Sequence, residues 1–577
     1  MRTIFHFLKP YKRLCAFTLL VMLLDVAGGL LIPKLTADMI NIGVSSRNLD
    51  YILRNGVLMV IITLAAGAGA LVGSYLCASL SSKIGRDLRN AIYDKSLSFS
   101  AHDFEGFGTG SMITRTLNDV NVIQQSVVWC IQMVLPVPVV CIMGAAMAFA
   151  IDIQMGFLLV GVTVLVILLA LLVTRKASFI FERLQKLLDR MNVVLRENIT
   201  GVRVIRAFNK ERAEEGRMRK SFADYAECAI RANRLFAGLE CMAFFVINLC
   251  VIAILWLGGN RIGAGFMKIG DITALTEYAI LILFYIMMAQ MVLILLPRAK
   301  VCLQRVETVL KHEPEIPDVP ASAASSLFET DDVLRFDHAS FRFPDADEET
   351  LGDLSFTCRR GTTTAIIGGT GSGKSTIAKL ILRFHDTTSG AVFFRGEDVR
   401  SIPQGDLRNR IAYVPQKAWL FSGTIADNLR HGKADATLPE MEHALSVAQA
   451  SFVQELPEQL DSFVAQGGSN FSGGQKQRLS IARALMKQAD LYIFDDSFSA
   501  LDFKTDAALR KALQPETRHA AVLIIAQRVS TILHADQILV LDDGKIVGAG
   551  THESLMQTCP VYQDIAKSQQ KGEEANG

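Results

Sequence analysis

The 577-residue sequence predicts an α-helical half built to span a membrane, followed by an α/β half. Three observations carry that expectation. Residues 1–310 hold six long apolar runs almost free of charge, and residues 331–570 alternate strand-like with helix-like segments. A glycine-rich loop, GGTGSGKS, lies between an apolar strand and a helix in the second half. The expected boundaries are 1–310 for the spanning domain, 311–330 for a linker, 331–570 for the α/β domain and 571–577 for a polar tail.

A bilayer crossing takes about 20 mainly apolar residues. Six runs qualify: Leu14–Pro33, Asn55–Ser82, Val120–Ile151, Ile153–Thr174, Cys241–Asn260 and Tyr278–Pro297. Only the first carries a charge, Asp25. That carboxylate, with no small-residue cleavage site after it, argues against a signal peptide. Basic residues precede the first run (Lys9, Lys12, Arg13) and follow the second, fourth and sixth, whereas the turn around Asp152 has none. The positive-inside rule then puts both termini and the second half in the cytoplasm, in a multi-pass protein of the cell membrane. The intervening stretches 83–119 and 175–240 are polar with helical periodicity, so long helices are expected to continue well below the bilayer.

Composition closes off other classes. Half the residues are hydrophobic, 20% are charged and the net charge is +2, which leaves no basic stripe to displace counterions from a nucleic acid. The ten cysteines are scattered without CxxC spacing, and Cys77, Cys130, Cys141 and Cys250 fall inside apolar runs as small hydrophobes. After the sixth run, HEPEIPDVPASAASS (312–326) reads as a linker. The alternating pattern beyond it indicates a mainly parallel sheet.

Chemistry concentrates in three segments of that sheet domain. Gly368-Gly369-Thr370-Gly371-Ser372-Gly373-Lys374-Ser375, with Thr376 next, is a phosphate loop in its strand–loop–helix setting. Its backbone N–H groups and the helix N-terminus suit phosphate, Lys374 the β- and γ-phosphates, and Ser375 Mg²⁺. LYIFDD ends an apolar strand at Asp495, where a carboxylate suits the same Mg²⁺. NFSGGQKQRLSIARAL (Asn470–Leu485) opens an amphipathic helix with a Ser-Gly-Gly turn, which alone could be merely an N-cap.

Taken together in this order, the three segments resemble those of ATP-binding cassette (ABC) transporters. The six preceding spans point to exporter-type half-transporters, so the resemblance covers nearly the whole chain. It implies an α-helical six-span domain followed by a phosphate-loop NTPase domain, with ATP and Mg²⁺ as cofactors. Phe343 in SFRFP would stack on adenine. Gln416 in YVPQ would link Mg²⁺ and the attacking water to the membrane part. Ser472, Gly473, Gly474 and Gln475 would meet the γ-phosphate of ATP held by an opposing subunit, and Ser499–Asp502 would pass signals between the two sites. Arg196–Arg212 and Phe104–Val120 look like the inner-loop segments that dock on nucleotide domains.

The pattern breaks at two positions. Asp496 stands where the family places a glutamate that polarises water, and the missing methylene leaves its carboxylate over an ångström short, about the margin on which proton transfer depends. Gln527 in VLIIAQRVST replaces a histidine; an amide can donate to a γ-phosphate but cannot carry charge. A softer departure is Gln466, where many exporters carry glutamate. The resemblance therefore implies the degenerate-site member of a heterodimeric exporter, with Asp496, Gln527 and Gln416 as an impaired catalytic set. A partner half-transporter would supply the main ATPase. The expected cargo is an amphipathic drug- or lipid-like molecule moved outward. Import of metal chelates and an ATP-gated channel or sensor remain the alternatives. Asp25 is the intramembrane candidate for the cargo path, with Glu240 and Glu277 at span ends and Phe284, Tyr285, Met287, Met288, Gln290 and Met291 in the sixth span.

Overall fold

The computed structural model describes residues 2–319 and 330–576. They form two compact units, one of Met1–Ser98 with Phe107–His312, the other of Phe99–Gly106 with Glu313–Gly577. Part of the expected linker, 320–329, lies outside the described residues, as does the side chain of Glu240. The last helix runs Pro560–Asn576, so the backbone of the expected tail is helical up to that point.

The first unit contains six helices long and apolar enough to cross a membrane: Thr3–Val44, Leu49–Leu97, Thr109–Ile151, Ile153–Leu172, Cys241–Gly263 and Ile269–Lys311. Three helices of this unit are far longer than a bilayer needs. Leu49–Leu97, Ile153–Thr200 and Glu211–Gly263 have 49, 48 and 53 residues. At 1.5 Å per residue each is about 70–80 Å long, more than twice the hydrocarbon thickness. The expectation of helices continuing through the polar stretches is met.

Two span ends are corrected. The apolar runs end at Pro33 and Pro297, yet both prolines lie inside helices that continue past them, Lys12–Asp38 and Ile269–Lys311. A proline removes one donor and crowds the preceding turn, but neighbouring helices can re-satisfy the freed carbonyl. The third span is also less regular than its sequence suggests, with π turns at Arg115–Asp119 and Cys130–Val134.

Close packing and caps hold the helix ends. A Cβ on Gly270 would meet the Ala37 carbonyl oxygen at 2.4 Å, so only glycine lets the sixth helix start against the end of the first. Asn41 secures that crossing, donating to Asp271 Oδ1 and accepting from Gly270 N, both at 2.8 Å. Asp152 caps the fourth helix, accepting from Gln154 N at 2.9 Å and Met155 N at 3.2 Å, and its other oxygen accepts from Arg261 Nε at 3.0 Å. Among the cargo candidates, Asp25 is half-buried without a hydrogen bond or ion pair among the described residues, and Glu277 is exposed.

In the second unit a six-stranded sheet has the order Lys545–Gly550, Gln537–Asp542, Thr363–Gly368, Ala521–Ala526, Leu491–Asp495, Ile411–Val414. All neighbours are parallel except the first pair. Alternate residues feed opposite cores: Ala365 and Ile367 join one, Ile366 the other. Burial on both faces explains the unbroken apolar runs in these strands. An antiparallel sheet orders Leu351–Arg359, Asp332–Phe341, Ser389–Phe394 and Glu397–Asp398. The helix Ala101–Phe107 begins in the same unit through a reciprocal cap, Ser100 N to Asp103 Oδ2 at 2.9 Å and Asp103 N to Ser100 Oγ at 3.1 Å. Only Phe99–Gly106 of the first inner loop groups with this unit, upstream of most of the Phe104–Val120 segment that sequence reading favoured.

Replacing Asp152 separates its two roles. Asn keeps the cap acceptor and loses the charge facing Arg261; Ala loses both. Thermal unfolding of the detergent-solubilised chain should show Asp152→Ala destabilised beyond Asp152→Asn by about 1 kcal/mol, the worth of an N-cap.

Candidate nucleotide site

The parallel strands all end at one edge of the sheet, where ligands of open α/β sheets bind. The phosphate loop leaves the strand Thr363–Gly368 there and enters the helix Lys374–Ile381. Gly371 and Gly373 hold φ of +86° and +90°, which L side chains avoid, and a Cβ on Gly373 would strike Leu351 and the Thr350 carbonyl. Gly369 and Thr370 are exposed, while Ser372 and Thr376 are buried. Lys374 is buried and curls onto its own loop, donating to Gly368 O at 2.8 Å and Gly369 O at 2.5 Å. Burial pulls its ammonium below the usual range, and the nearby Asp496 and Asp495 act against that shift. A buried cation on two neutral carbonyls is a poor final state. A polyanion entering the loop would be its better partner.

Asp495 closes the strand Leu491–Asp495 and is 2% exposed. Ser375 Oγ donates to its Oδ1 at 3.0 Å and Tyr413 OH to its Oδ2 at 3.4 Å. Burial pushes the carboxyl above its ordinary range, and those two donors oppose the shift. Sequence reading missed Tyr413, whose place in YVPQ three residues before Gln416 was the available signal. Asp496 follows with φ of +46°, a left-handed conformation that Asp tolerates better than most residues. Its N–H donates to Ile525 O at 2.8 Å, and its Oδ2 accepts from Gln416 Nε2 at 3.2 Å. Lys374, Ser375, Asp495, Asp496 and Gln416 thus form one cluster.

The remaining candidates stand apart from it. Ser472 caps the helix Gly473–Leu485, and the reciprocal bonds run from Gln475 N to Ser472 Oγ at 3.3 Å and from Ser472 N to Gln475 Oε1 at 2.9 Å. The N-cap reading of this turn is therefore real. Ser472 and Gly473 are exposed, and no described hydrogen bond or ion pair joins Ser472–Gln475 to the phosphate-loop cluster. A Cβ on Gly474 would come within 3.2 Å of Ala500 O, so this glycine brings the turn close to the Ser499–Asp502 segment. Phe343 is half-buried, edge-on to Phe341 and His385 with centroids 4.8 and 5.4 Å away.

Gln527 is exposed just past the strand Ala521–Ala526. Its backbone is held by a residue that sequence reading did not single out. Gln569, on the last helix, donates through Nε2 to Gln527 O at 2.7 Å and accepts at Oε1 from Val529 N at 2.8 Å. One amide therefore clamps both flanks of Arg528 with both its polar ends satisfied. It belongs to no motif, and only the fold brings the chain's end to this loop.

The oxygen ligands Ser375 and Asp495 suit Mg²⁺, which binds through one or two carboxylates and takes the rest of its shell from substrate phosphates and water. Among the described residues no group of three or more His, Cys, Asp or Glu could hold a metal, as expected for such a partly built shell.

A phosphate loop, an acid-ended strand and a capped helix on a parallel sheet, following six apolar helices, define a membrane-embedded protein with a nucleotide-binding domain. Comparison with known families makes this specific. The family described as ABC transporter transmembrane region matches residues 14–287, and that described as ABC transporter matches residues 351–499. The chain belongs to the ABC transporters, as an exporter-type member with transmembrane and ATP-binding domains. It is 38% identical over 572 residues to an uncharacterized ABC transporter ATP-binding protein of Mycobacterium tuberculosis, covering 97% of each chain. It is 31% identical over 504 residues to a probable multidrug resistance ABC transporter ATP-binding/permease protein of Bacillus subtilis, covering 85% of this chain and 84% of the relative. Its fold is also that of a bacterial Atm1-family ABC exporter solved with ATP bound, with a TM-score of 0.80 at 24% identity over 96% of this chain and 97% of the other.

The clamp predicts a local effect. Gln569→Ala should speed amide exchange at Val529 by about 3- to 10-fold, the worth of one hydrogen bond, with the strand Ala521–Ala526 unchanged. Hydrogen–deuterium exchange of the full chain measures it. Gln569→Glu, which keeps the acceptor, should protect Val529 better than Ala does.

Proposed function

We propose that this chain is the degenerate-site half of a heterodimeric exporter, which holds MgATP at its own loop and completes the active site of a partner half-transporter. The observation that carries the reading is the geometry around Asp496. Its carboxylate is tied to Gln416 at 3.2 Å at the end of the short aspartate arm, and the residue just past the neighbouring strand Ala521–Ala526 is Gln527, whose amide is neutral. Loss of a well-placed base costs roughly 10²- to 10⁴-fold, or about 3–5 kcal/mol of barrier. Lys374, Ser375 and Asp495, which bind rather than cleave, are all present and mutually placed. Ser375, Asp495 and Gln416 would hold Mg²⁺, which would supply positive charge to offset that of the phosphates. Phe343 would stack on the adenine, and Gly368–Thr376 would enclose the phosphates.

The exposed, capped Ser472–Gln475 turn supports the trans role, because it satisfies its own backbone without using this chain's phosphate loop. A second feature supports assembly. The tip of the second inner loop exposes Val202, Val204 and Phe208 by 42, 61 and 70%. Apolar side chains grouped on such a tip suit docking on another subunit. Sandwiched ATP would then drive the long helices from inward- to outward-facing, since the nucleotide favours the closed state. The multidrug description of the Bacillus relative and the cytoplasmic bias of basic residues support outward movement of amphipathic molecules across the cell membrane.

The ATPase rate of the purified chain without a partner tests this. A homodimer still pairs intact signature turns with intact phosphate loops, so Asp496 and Gln527 alone limit it. Wild type should bind photoactivatable ATP yet turn over slowly, and Asp496→Glu with Gln527→His should raise turnover about 100-fold or more. Turnover of wild type at tens per second would sink the proposal. So would a double variant that binds ATP and remains as slow.

A further inference from the structure

A cavity of about 320 Å³ lies in the first unit between the fourth, fifth and sixth long helices. That is the lower end of the size range for small-molecule sites. Val166, Leu169, Met242 and Met287 make its wall apolar, and two polar side chains break it, Gln290 and Arg234.

Gln290 is 7% exposed, and its Nε2 has no hydrogen-bond partner among the described residues. A buried amide donor left unpaired is costly and uncommon, so it points to a group that arrives later. Arg234 is exposed and makes no described ion pair, and no carboxylate lines the cavity among the described residues. It precedes the apolar span Cys241–Gly263 by about two helical turns. The cation therefore sits at the cytoplasmic rim implied by the positive-inside orientation, while Gln290 and the methionines lie deeper. Of the sixth-span candidates, Met287 and Gln290 line the cavity, whereas Phe284 and Met291 are 59 and 67% exposed.

We propose that this cavity is a cargo site for an anionic amphiphile, whose head pairs with Arg234, whose acceptor oxygen meets Gln290 Nε2 and whose apolar body lies on Met242 and Met287. Methionine tolerates varied shapes, so the wall sets polarity more than outline. The charge selects: a cation would face Arg234 without an opposing carboxylate among the described residues, and a neutral molecule would leave it unused. The assignment rests on the export reading above.

Binding to the full chain in phosphatidylcholine nanodiscs tests it, with a dansyl-labelled undecanoate and its uncharged carboxamide as probes. The carboxylate should bind at least ~10-fold tighter than the amide. Arg234→Gln should erase that preference and Arg234→Lys should keep it. Gln290→Leu should weaken both probes by a similar, severalfold factor. Equal affinity for the two probes, or a preference surviving Arg234→Gln, overturns the assignment. Displacement of the probe by added phosphatidylglycerol would identify a bilayer lipid as the source of the anion, and lack of displacement a free amphiphile. Uptake into inside-out vesicles carrying the Asp496→Glu, Gln527→His chain, which is expected to turn over ATP without a partner, separates this inference from its premise. Selective binding without ATP-driven uptake would refute export and leave the site standing. Uptake of the carboxylate undiminished in Arg234→Gln would refute the site and leave export standing.

Discussion

The nucleotide site depends on the parallel register of the strand Leu491–Asp495. Asp495 pairs with Ile525 on one side, and Phe494 with Val414 on the other, while Ile525 is itself paired with Ile366. The strands ending at Gly368, Asp495 and Val414 therefore finish at the same edge, where Ser375 bonds Asp495 and Gln416 bonds Asp496. A slip by one residue would turn Asp495 from the ligand edge into a core and break the Ser375 bond. The register is secured by burial on both faces, so the geometry of the chemistry is inherited from the packing of Ile, Leu and Phe side chains.

The same constraint reaches Asp496. Its backbone is fixed by the bond to Ile525 O and by a left-handed φ, so the residue cannot advance to compensate for a shorter side chain. In a mobile loop a missing methylene can be absorbed by a small backbone shift. On the degenerate-site proposal it would stay a deficit here, at a carboxylate whose Oδ2 accepts from Gln416 Nε2.

Motif-bearing parts were legible because each is a local solution to a local problem. Glycines at positive φ, a Ser–Gln cap and an apolar strand ending in acid can all be read within a few residues. Charge-poor runs likewise marked the six spans. What escaped reading depends on distant context. Pro33 and Pro297 look like helix ends by propensity, and the polar segments after them, 34–38 and 298–311, give no local sign that the helix continues. Gln569 has no motif, since its partners are backbone atoms that any sequence would supply. Met287 and Gln290 could not be sorted from Phe284 and Met291 by composition, because which face of the sixth helix is covered depends on the fourth and fifth.

Differences in burial also separate two kinds of polar group in this chain. Asp152, Asn41 and Gln569 are satisfied within the fold, and their bonds join helix ends or pin a loop. Lys374 and Gln290 are buried with poor partners or none, one on loop carbonyls and the other facing an apolar cavity. A folded chain retains such costs only where something else relieves them. At Lys374 the relieving group would be a phosphate, entering a loop whose glycines hold positive φ. By the same reasoning the amide of Gln290 marks a second place where binding, not folding, completes the hydrogen bonds, and the two lie in different units of the chain. Coupling between them then requires that filling one favour the same global state as filling the other, the condition under which ATP energy becomes movement of cargo.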